Sequence, residues 1–173
     1  QNERLKEQGY EILYLTDDID EFTLKAMRDY DGKEFKSTSD DDLGIDNEAE
    51  KEEIKKQNEE NKDLLGYIKE QLGDKVSDVV LTSRLKSYPV CLTAKGQISL
   101  EMEKVLNAMP APEANKIKAQ RVLEINAGHP VFAALQKLYP DQKEKLASYV
   151  EILYTQALLI EGIPVEDPVA YTN

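Results

Sequence analysis

The side chains that could do nucleophilic chemistry are few in this sequence. It holds one cysteine, Cys91, and one histidine, His129. A thiol activated by an imidazole is a nucleophilic pair, but Cys91 stands between the apolar Val90 and Leu92 in a predicted strand, where an inert buried thiol is favoured. His129 precedes Pro130 at a predicted helix start, where its hydrogen bonds can organise the turn. The sequence therefore predicts no catalytic residue.

Phosphate and metal sites are not predicted either. The eight glycines are scattered, and none stands in the spacing of a phosphate-binding loop. One cysteine and one histidine give no ligand cluster for a transition metal. Asp40–Asp42 lack the glycine and the terminal glutamate that a calcium loop requires. We expect no catalytic, cofactor or metal site in this chain, and no enzymatic activity of its own.

Charge and cysteine content exclude several classes of partner. The net charge is −12, and Asp40–Asp63 carries eleven acids against four lysines, so −7 of that charge lies in one segment. Such a chain is repelled by the phosphates of nucleic acid. One cysteine allows no internal disulfide and fits a reducing, cytoplasmic setting. The longest apolar run is too short for a bilayer, so no membrane partner is expected.

The hydrophobic patterns predict an α+β chain with a small mixed sheet and packed helices. The predicted strands are Tyr10–Leu15, Phe35–Thr38, Val76–Thr82, Tyr88–Thr93 and Arg121–Ile125. The predicted helices are Asn2–Gln8, Asp18–Tyr30, Glu48–Leu72, Ser99–Met109, Pro130–Leu138 and Lys143–Glu161. Residues 1–38, a strand–helix–strand piece too small to fold alone, look like the end of an upstream α/β domain. Residues 39–173 form the second domain.

The segment Tyr149–Ile160 predicts a subunit interface. Across three turns it offers only Glu151, Thr155 and Gln156 as polar positions, so the helix must be buried nearly all round. Part of that burial is expected against a second copy of the chain. The interface stripe is predicted to consist of Leu146, Tyr149, Val150, Leu153, Ala157 and Ile160, while Ile152, Leu158 and Leu159 populate a second stripe. A core helix within one domain is the alternative.

The segment Ser99–Met109 is the second candidate. Its apolar positions cover one helical face, and methionine suits surfaces that adapt to many partners. Contact with unfolded client protein is expected through Leu100, Met102, Val105, Leu106 and Met109. The alternative is a helix that faces the core of its own domain.

Four segments resemble, in order, the bacterial form of the ninety-kilodalton heat-shock chaperone family. Gly9–Ser37 looks like the end of that family's middle domain, and Val76–Leu92 like its strand, S-x-R-L, loop and proline-containing strand. Leu123–Pro130 (LEINAGHP) is close to the family's L-E-I-N-x-x-H-P. Leu153–Pro168 is similar to L-Y-x-x-A-L-L-x-x-G followed by a D-P helix start.

The resemblance implies a dimeric, ATP-driven chaperone. It places residues 1–38 at the end of the middle domain and residues 39–173 in the C-terminal dimerisation domain, with the last helix of a four-helix dimer bundle truncated. In that family the nucleotide pocket lies in an N-terminal domain. The resemblance therefore implies no ATP site in this fragment, while ATP and magnesium would serve the full-length protein.

Taken together, these features predict a C-terminal fragment of an ATP-dependent molecular chaperone involved in the stress response. Its expected roles are homodimerisation, weakened by truncation, and contact with non-native client proteins in the cytoplasm. The alternative function is an assembly domain appended to a multidomain enzyme whose catalytic part is missing.

Overall fold

A computed structural model describes residues 2–38, 48–108, 117–165 and 168–172. The chain is α+β, as predicted. The helices are α1 (Asn2–Glu7), α2 (Asp20–Met27), α3 (Glu48–Glu60), α4 (Lys62–Leu72), α5 (Leu100–Ala108), α6 (Pro130–Leu138), α7 (Lys143–Ile160) and α8 (Pro168–Thr172). The strands are β1 (Asp29–Tyr30), β2 (Lys33–Glu34), β3 (Asp78–Thr82), β4 (Val90–Lys95) and β5 (Gln120–Asn126).

The larger sheet has three strands in the order β3-β5-β4. β3 runs parallel to β5, with Val80 opposite Glu124, and β4 runs antiparallel to it, with Leu92 opposite Leu123. The sheet is therefore mixed, as the patterns predicted. β3 and β4 do not form a direct hairpin, because β5 pairs between them. The central strand is buried from Val122 to Asn126.

The hydrophobic core lies where α4, α6 and α7 pack on the sheet. α4 contacts β3, α7 contacts β4, and α7 also contacts α4 and α6. The helical spacing of Leu64, Leu65, Ile68 and Leu72 puts all four on the buried face of α4. The side chains with 2% exposure or less that these elements contribute include Ile68, Val90, Leu123, Ile125, Leu135, Leu146 and Val150.

The predicted helix Glu48–Leu72 is divided at Asn61 into α3 and α4. The Asn61 side-chain amide donates to the Gln57 carbonyl at 2.7 Å, while its oxygen accepts from Gln136 of α6 at 2.8 Å. Asparagine competes in this way with the backbone for helical carbonyls. The contact with α6 is a tertiary one, so the local helical pattern did not reveal the break.

The N-terminal segment differs most from its prediction. Residues 10–15 form no strand, and Tyr10, Leu13, Tyr14 and Leu15 are exposed. The strand predicted at Phe35–Thr38 does not form, and the short β1–β2 hairpin lies just before it. Its turn is Asp31-Gly32, where both residues have positive φ, 52° and 71°. An Asp-Gly pair in this conformation specifies a tight hairpin. The sequence contains this signal, but the prediction continued a helix up to Tyr30.

The helices of the described ranges include none that is both long and apolar enough to cross a bilayer.

Candidate interaction site

The structure divides the predicted interface stripe of α7 between two environments. Leu146, Val150, Leu153 and Ala157 are buried in the chain's own core. Tyr149 and Ile160 are exposed, at 41% and 47%. The four buried residues therefore take the role that the alternative gave them, that of a core helix within one domain. This corrects the predicted stripe, because a side chain already packed inside its own domain is not available to a partner.

A different set of apolar residues follows the outward face of α7. We call Tyr149, Ile152, Leu159 and Ile160 the outer stripe. Counted from Ile152, the other three residues lie three, seven and eight positions away, which places all four along one side of a helix. Their exposure runs from 41% for Tyr149 to 53% for Leu159. α8 packs beside α7 and adds the exposed Val169 and Tyr171. An apolar strip of this kind, unlike a single exposed leucine, is a candidate contact surface.

The predicted client-binding residues of α5 are also divided. Leu100 is buried against the core, whereas Met102, Val105 and Leu106 are partly exposed. Met109 lies outside the described residues. Hence α5 presents three of its apolar side chains at the surface while it docks through Leu100.

α5 is held to the sheet by a polar network that the sequence reading missed. The Arg121 guanidinium donates to Glu103 Oε1 at 2.6 Å and to the Tyr154 hydroxyl at 3.1 Å, while the Ala119 amide donates to Glu103 Oε2 at 2.9 Å. Glu103 is only 7% exposed. The burial of Glu103 was not predicted. Its position three residues after Leu100, on the same helical face, was the signal that could have identified it as buried. On α5, Lys104 adds a hydrogen bond to the Glu161 carbonyl beyond the end of α7.

A second buried ion pair lies within the sheet. Arg84, in the loop between β3 and β4, pairs with Glu124 of β5, and the Thr93 hydroxyl donates to Glu124 Oε1 at 2.9 Å. Glu124 is 2% exposed, and its Oε2 has no hydrogen-bond partner in the described part of the chain. Together with Thr93 of β4, the pair joins three segments of the chain. It fixes the loop after β3 to the central strand, which is a structural role.

Cys91 and His129 do not come together as a nucleophilic pair. Cys91 faces Glu124 in the register of β4 and β5, and burial, followed by the negative charge of Glu124, raises the thiol pKa to about 12. His129 Nδ1 accepts a hydrogen bond from the Val131 amide at 3.2 Å. It is the N-cap of α6, with Pro130 in the first turn.

An open cleft of about 390 Å³ lies between α4 and the edge of β3. Its charged lining has both signs: Glu59 and Asp78 against Lys62 and Lys69. Within the described ranges, three or more histidine, cysteine or acidic side chains do not come close enough together to hold a metal ion. The apolar surfaces of α7 and α5 are therefore the strongest candidates for function.

Comparison with known proteins identifies the family. A family model described as "Hsp90 protein" matches residues 1–173. The chain is 52% identical to the "Chaperone protein HtpG" of Clostridium acetobutylicum, 50% identical to that of Bacillus subtilis and 52% identical to that of Oceanobacillus iheyensis. Each alignment covers all 173 residues of the chain and 27% of the relative. The chain thus spans about 27% of the length of the curated relatives it matches.

These matches correct three predictions made from the sequence. The chain was expected to be a C-terminal fragment, to have no enzymatic role, and to lack ATP and magnesium as cofactors. The Hsp90 match extends over the whole chain. Neither this match nor the alignments support a C-terminal position. They also give no ground for excluding the chain from the ATPase function of the family. The exclusion of ATP and of enzymatic function therefore does not stand. The alternative of an assembly domain appended to an enzyme finds no support among relatives named as chaperones.

What the matches do establish is the family itself. The family model covers every residue of the chain, and the identity to the bacterial relatives is about one half along its full length. The four segments whose residues resembled the ninety-kilodalton heat-shock chaperones all lie within that match. The chain belongs to the Hsp90 family.

Proposed function

We propose that the chain is part of a molecular chaperone that works as a homodimer in the cytoplasm and binds non-native protein. Membership of the Hsp90 family supports the chaperone role, and the names of the relatives agree with it. The observation that carries the dimer proposal is the outer stripe of α7. Its residues, together with Val169 of α8, form an apolar surface that the described part of the chain leaves exposed.

Burial of the outer stripe against a second copy is favourable by ordinary hydrophobic energetics. Fully burying a large aliphatic or aromatic side chain stabilises by about 1.5–3 kcal/mol. The four residues of the outer stripe are already about half buried, so each has about 1 kcal/mol left to contribute. A twofold contact presents the same stripe from both copies and doubles that contribution. The stripe can therefore support association in the absence of any new ion pair.

The test of this proposal is sedimentation equilibrium of the chain and of the variants Ile152→Asp and Leu159→Asp. Each variant places a charge in the apolar contact, and we expect the dissociation constant to rise at least about tenfold, because an unpaired charge is costly to desolvate. Ile19→Asp is the control, since Ile19 is exposed on another part of the chain. Circular dichroism should show that all three variants remain folded.

Leu153→Asp, a change within the stripe that the sequence predicted, does not test the interface. Leu153 is 7% exposed in the chain's own core, so a charge there should unfold the domain. Unchanged self-association of both Ile152→Asp and Leu159→Asp would reject the outer stripe as the dimer contact. A chain that remains monomeric at high concentration would reject it as well.

The proposed client contact rests on α5. Met102, Val105 and Leu106 are partly exposed on a helix whose opposite side is anchored through Glu103. A surface of flexible and aliphatic side chains on a fixed helix can adapt to different apolar sequences. We expect the double variant Met102→Ser with Leu106→Ser to bind reduced, carboxymethylated α-lactalbumin, a permanently unfolded probe, at least about threefold more weakly. Tyr88→Ser, at an exposed aromatic outside α5, is the control. Equal affinity of the double variant would reject the client role of α5.

Dependence on ATP is proposed for the whole protein, of which this chain is a part. Calorimetric titration of magnesium-ATP into the chain measures directly whether these residues take part in the nucleotide step. A saturable binding isotherm would assign them a role in it. A flat titration would assign nucleotide binding to other parts of the protein.

A further inference from the structure

α2 and the start of α5 are joined by a relay of two hydrogen bonds. Ser99 is the N-cap of α5, because its carbonyl accepts from the Glu103 amide and its hydroxyl oxygen accepts from the Met102 amide at 3.0 Å. The same Ser99 hydroxyl donates to Glu21 Oε2 of α2 at 2.7 Å. A carboxylate thus lies at the N-terminus of α5, where the helix dipole favours a negative charge. It is supplied by a residue 78 positions away in the chain.

The sequence explains why this carboxylate matters. In a capping box, the acid that supports a serine N-cap stands three residues after it, but here that position is Met102. The local sequence therefore caps α5 only through Ser99. Glu21 places an acid at the same helix end from outside the helix, so the charge at that end depends on where residues 20–27 lie.

Lys25, one turn after Glu21, completes the contact. Its ammonium group lies 3.0 Å from Glu21 Oε1, donates to the Gln97 carbonyl at 3.3 Å, and lies 2.9 Å from the sulfur of Met102. Lys25 thereby covers the thioether of Met102. It also holds Glu21 in position, since the two residues form an ion pair at the i, i+4 spacing of α2.

We infer that Glu21 and Lys25 form a latch, which when closed stabilises the first turn of α5 and covers Met102, and when open releases both. α5 remains attached when the latch opens, because Leu100, Glu103 and Lys104 anchor its other side. The latch side chains are themselves partly exposed, Glu21 at 23% and Lys25 at 49%. Contacts of this exposure are weak, so the latch can open and close while the rest of the chain stays folded.

Hydrogen exchange of the chain, measured by mass spectrometry, tests whether Glu21 stabilises the first turn of α5. In Glu21→Ala, the amides of the first turn of α5 should exchange about fivefold faster, the factor that loss of a typical N-cap contact produces. Amides of β5 should not change. Ser99→Ala is the positive control, and adding Glu21→Ala to it should give no further acceleration if Glu21 acts through Ser99. Unchanged α5 exchange in Glu21→Ala, with acceleration in Ser99→Ala, would overturn the latch.

Oxidation by hydrogen peroxide tests whether Lys25 covers the thioether of Met102. In Lys25→Ala, Met102 should be oxidised at least about twofold faster relative to Met27, an exposed methionine that serves as the internal standard. Lys33→Ala, a change at an exposed lysine in the β1–β2 hairpin, is the control. An unchanged Met102 to Met27 ratio in Lys25→Ala would show that Lys25 does not cover the thioether, and would overturn this part of the latch.

The consequence for client binding rests on the function proposed above. A failure of the latch can be distinguished from a failure of that function. If the latch opens by both measurements and the unfolded probe binds more tightly, the latch regulates client contact. If the latch opens and probe affinity stays the same, the latch stands and the client role of α5 is rejected.

Discussion

The Glu103 carboxylate and the Arg121 guanidinium lie 2.6 Å apart between α5 and β5, with side-chain exposures of only 10% and 19%. Burial lowers the pKa of Arg121, but hydrogen bonds to Glu103 and Tyr154 outweigh it and raise the pKa above its usual value. Tyr154 in turn donates from its hydroxyl to the Lys75 carbonyl at 3.4 Å. The ion pair and the Tyr154 hydroxyl thus connect α5, the central strand and α7.

Removal of one partner from this pair should destabilise the domain. Glu103→Gln leaves the Arg121 charge buried with no opposite charge, and we expect the free energy of unfolding to fall by about 3 kcal/mol. Urea unfolding followed by circular dichroism measures the loss. Glu60→Gln is the matched control, since Glu60 and Lys56 form an ion pair with side chains 61% and 69% exposed. That change should lower stability by at most about 0.5 kcal/mol. Equal losses in the two variants would contradict the assignment.

The two sides of α7 should respond differently to truncation. Leu146 is fully buried, so Leu146→Ala should cost about 3 kcal/mol through lost apolar contact and the cavity left behind. Ile160 is 47% exposed, and Ile160→Ala should change monomer stability by less than about 1 kcal/mol. Unfolding should be measured at protein concentrations well below any association. A loss at Ile160 as large as that at Leu146 would show that Ile160 packs within its own domain.

The edge of β3 that does not pair with β5 is covered by a side chain of α3. Removal of this side chain should lower the stability of the chain. Asn58 accepts from the Leu81 amide at 2.9 Å and donates to the Leu81 carbonyl at 3.1 Å, as a neighbouring strand would. Asn58→Ala removes both bonds, and we expect a loss of about 2 kcal/mol. Hydrogen exchange at the Leu81 amide should accelerate in parallel. Gln57→Ala, at the preceding, partly exposed residue, is the control, and similar losses in both variants would argue against the edge-covering role.

Cys91 should be slow to alkylate in the folded chain. Its pKa of about 12 leaves little thiolate at pH 8, and the thiolate is the reactive form. We expect iodoacetamide to react at least about 100-fold more slowly than with the same chain in urea, where the thiol returns to its ordinary pKa. The folded-state rate should still rise as the pH is raised, because the thiolate fraction grows up to the pKa. Equal rates in the folded and unfolded chain at pH 8 would show that the fold neither shields the thiol nor raises its pKa.

The amino-acid sequence by itself determined the fold class and most elements of the sheet domain. The spacing of Leu64, Leu65, Ile68 and Leu72 specified the buried face of α4, and Pro130 and His129 marked the start of α6. These features follow from local periodicity and from capping, which depend on residues close in the chain. The same local reasoning predicted strands at 10–15 and 35–38 that did not form, because a strand also needs a partner edge.

Tertiary structure alone decided which side of α7 is free. Both sides are apolar in sequence, and only the positions of α4, α6 and β4 assign Leu146, Val150, Leu153 and Ala157 to the core and leave the outer stripe exposed. The placement of β5 between β3 and β4, the break at Asn61 and the contact of Glu21 with Ser99 are of the same kind. Each depends on residues far apart in the chain, and a helical or strand period contains no information about which distant segment will cover it.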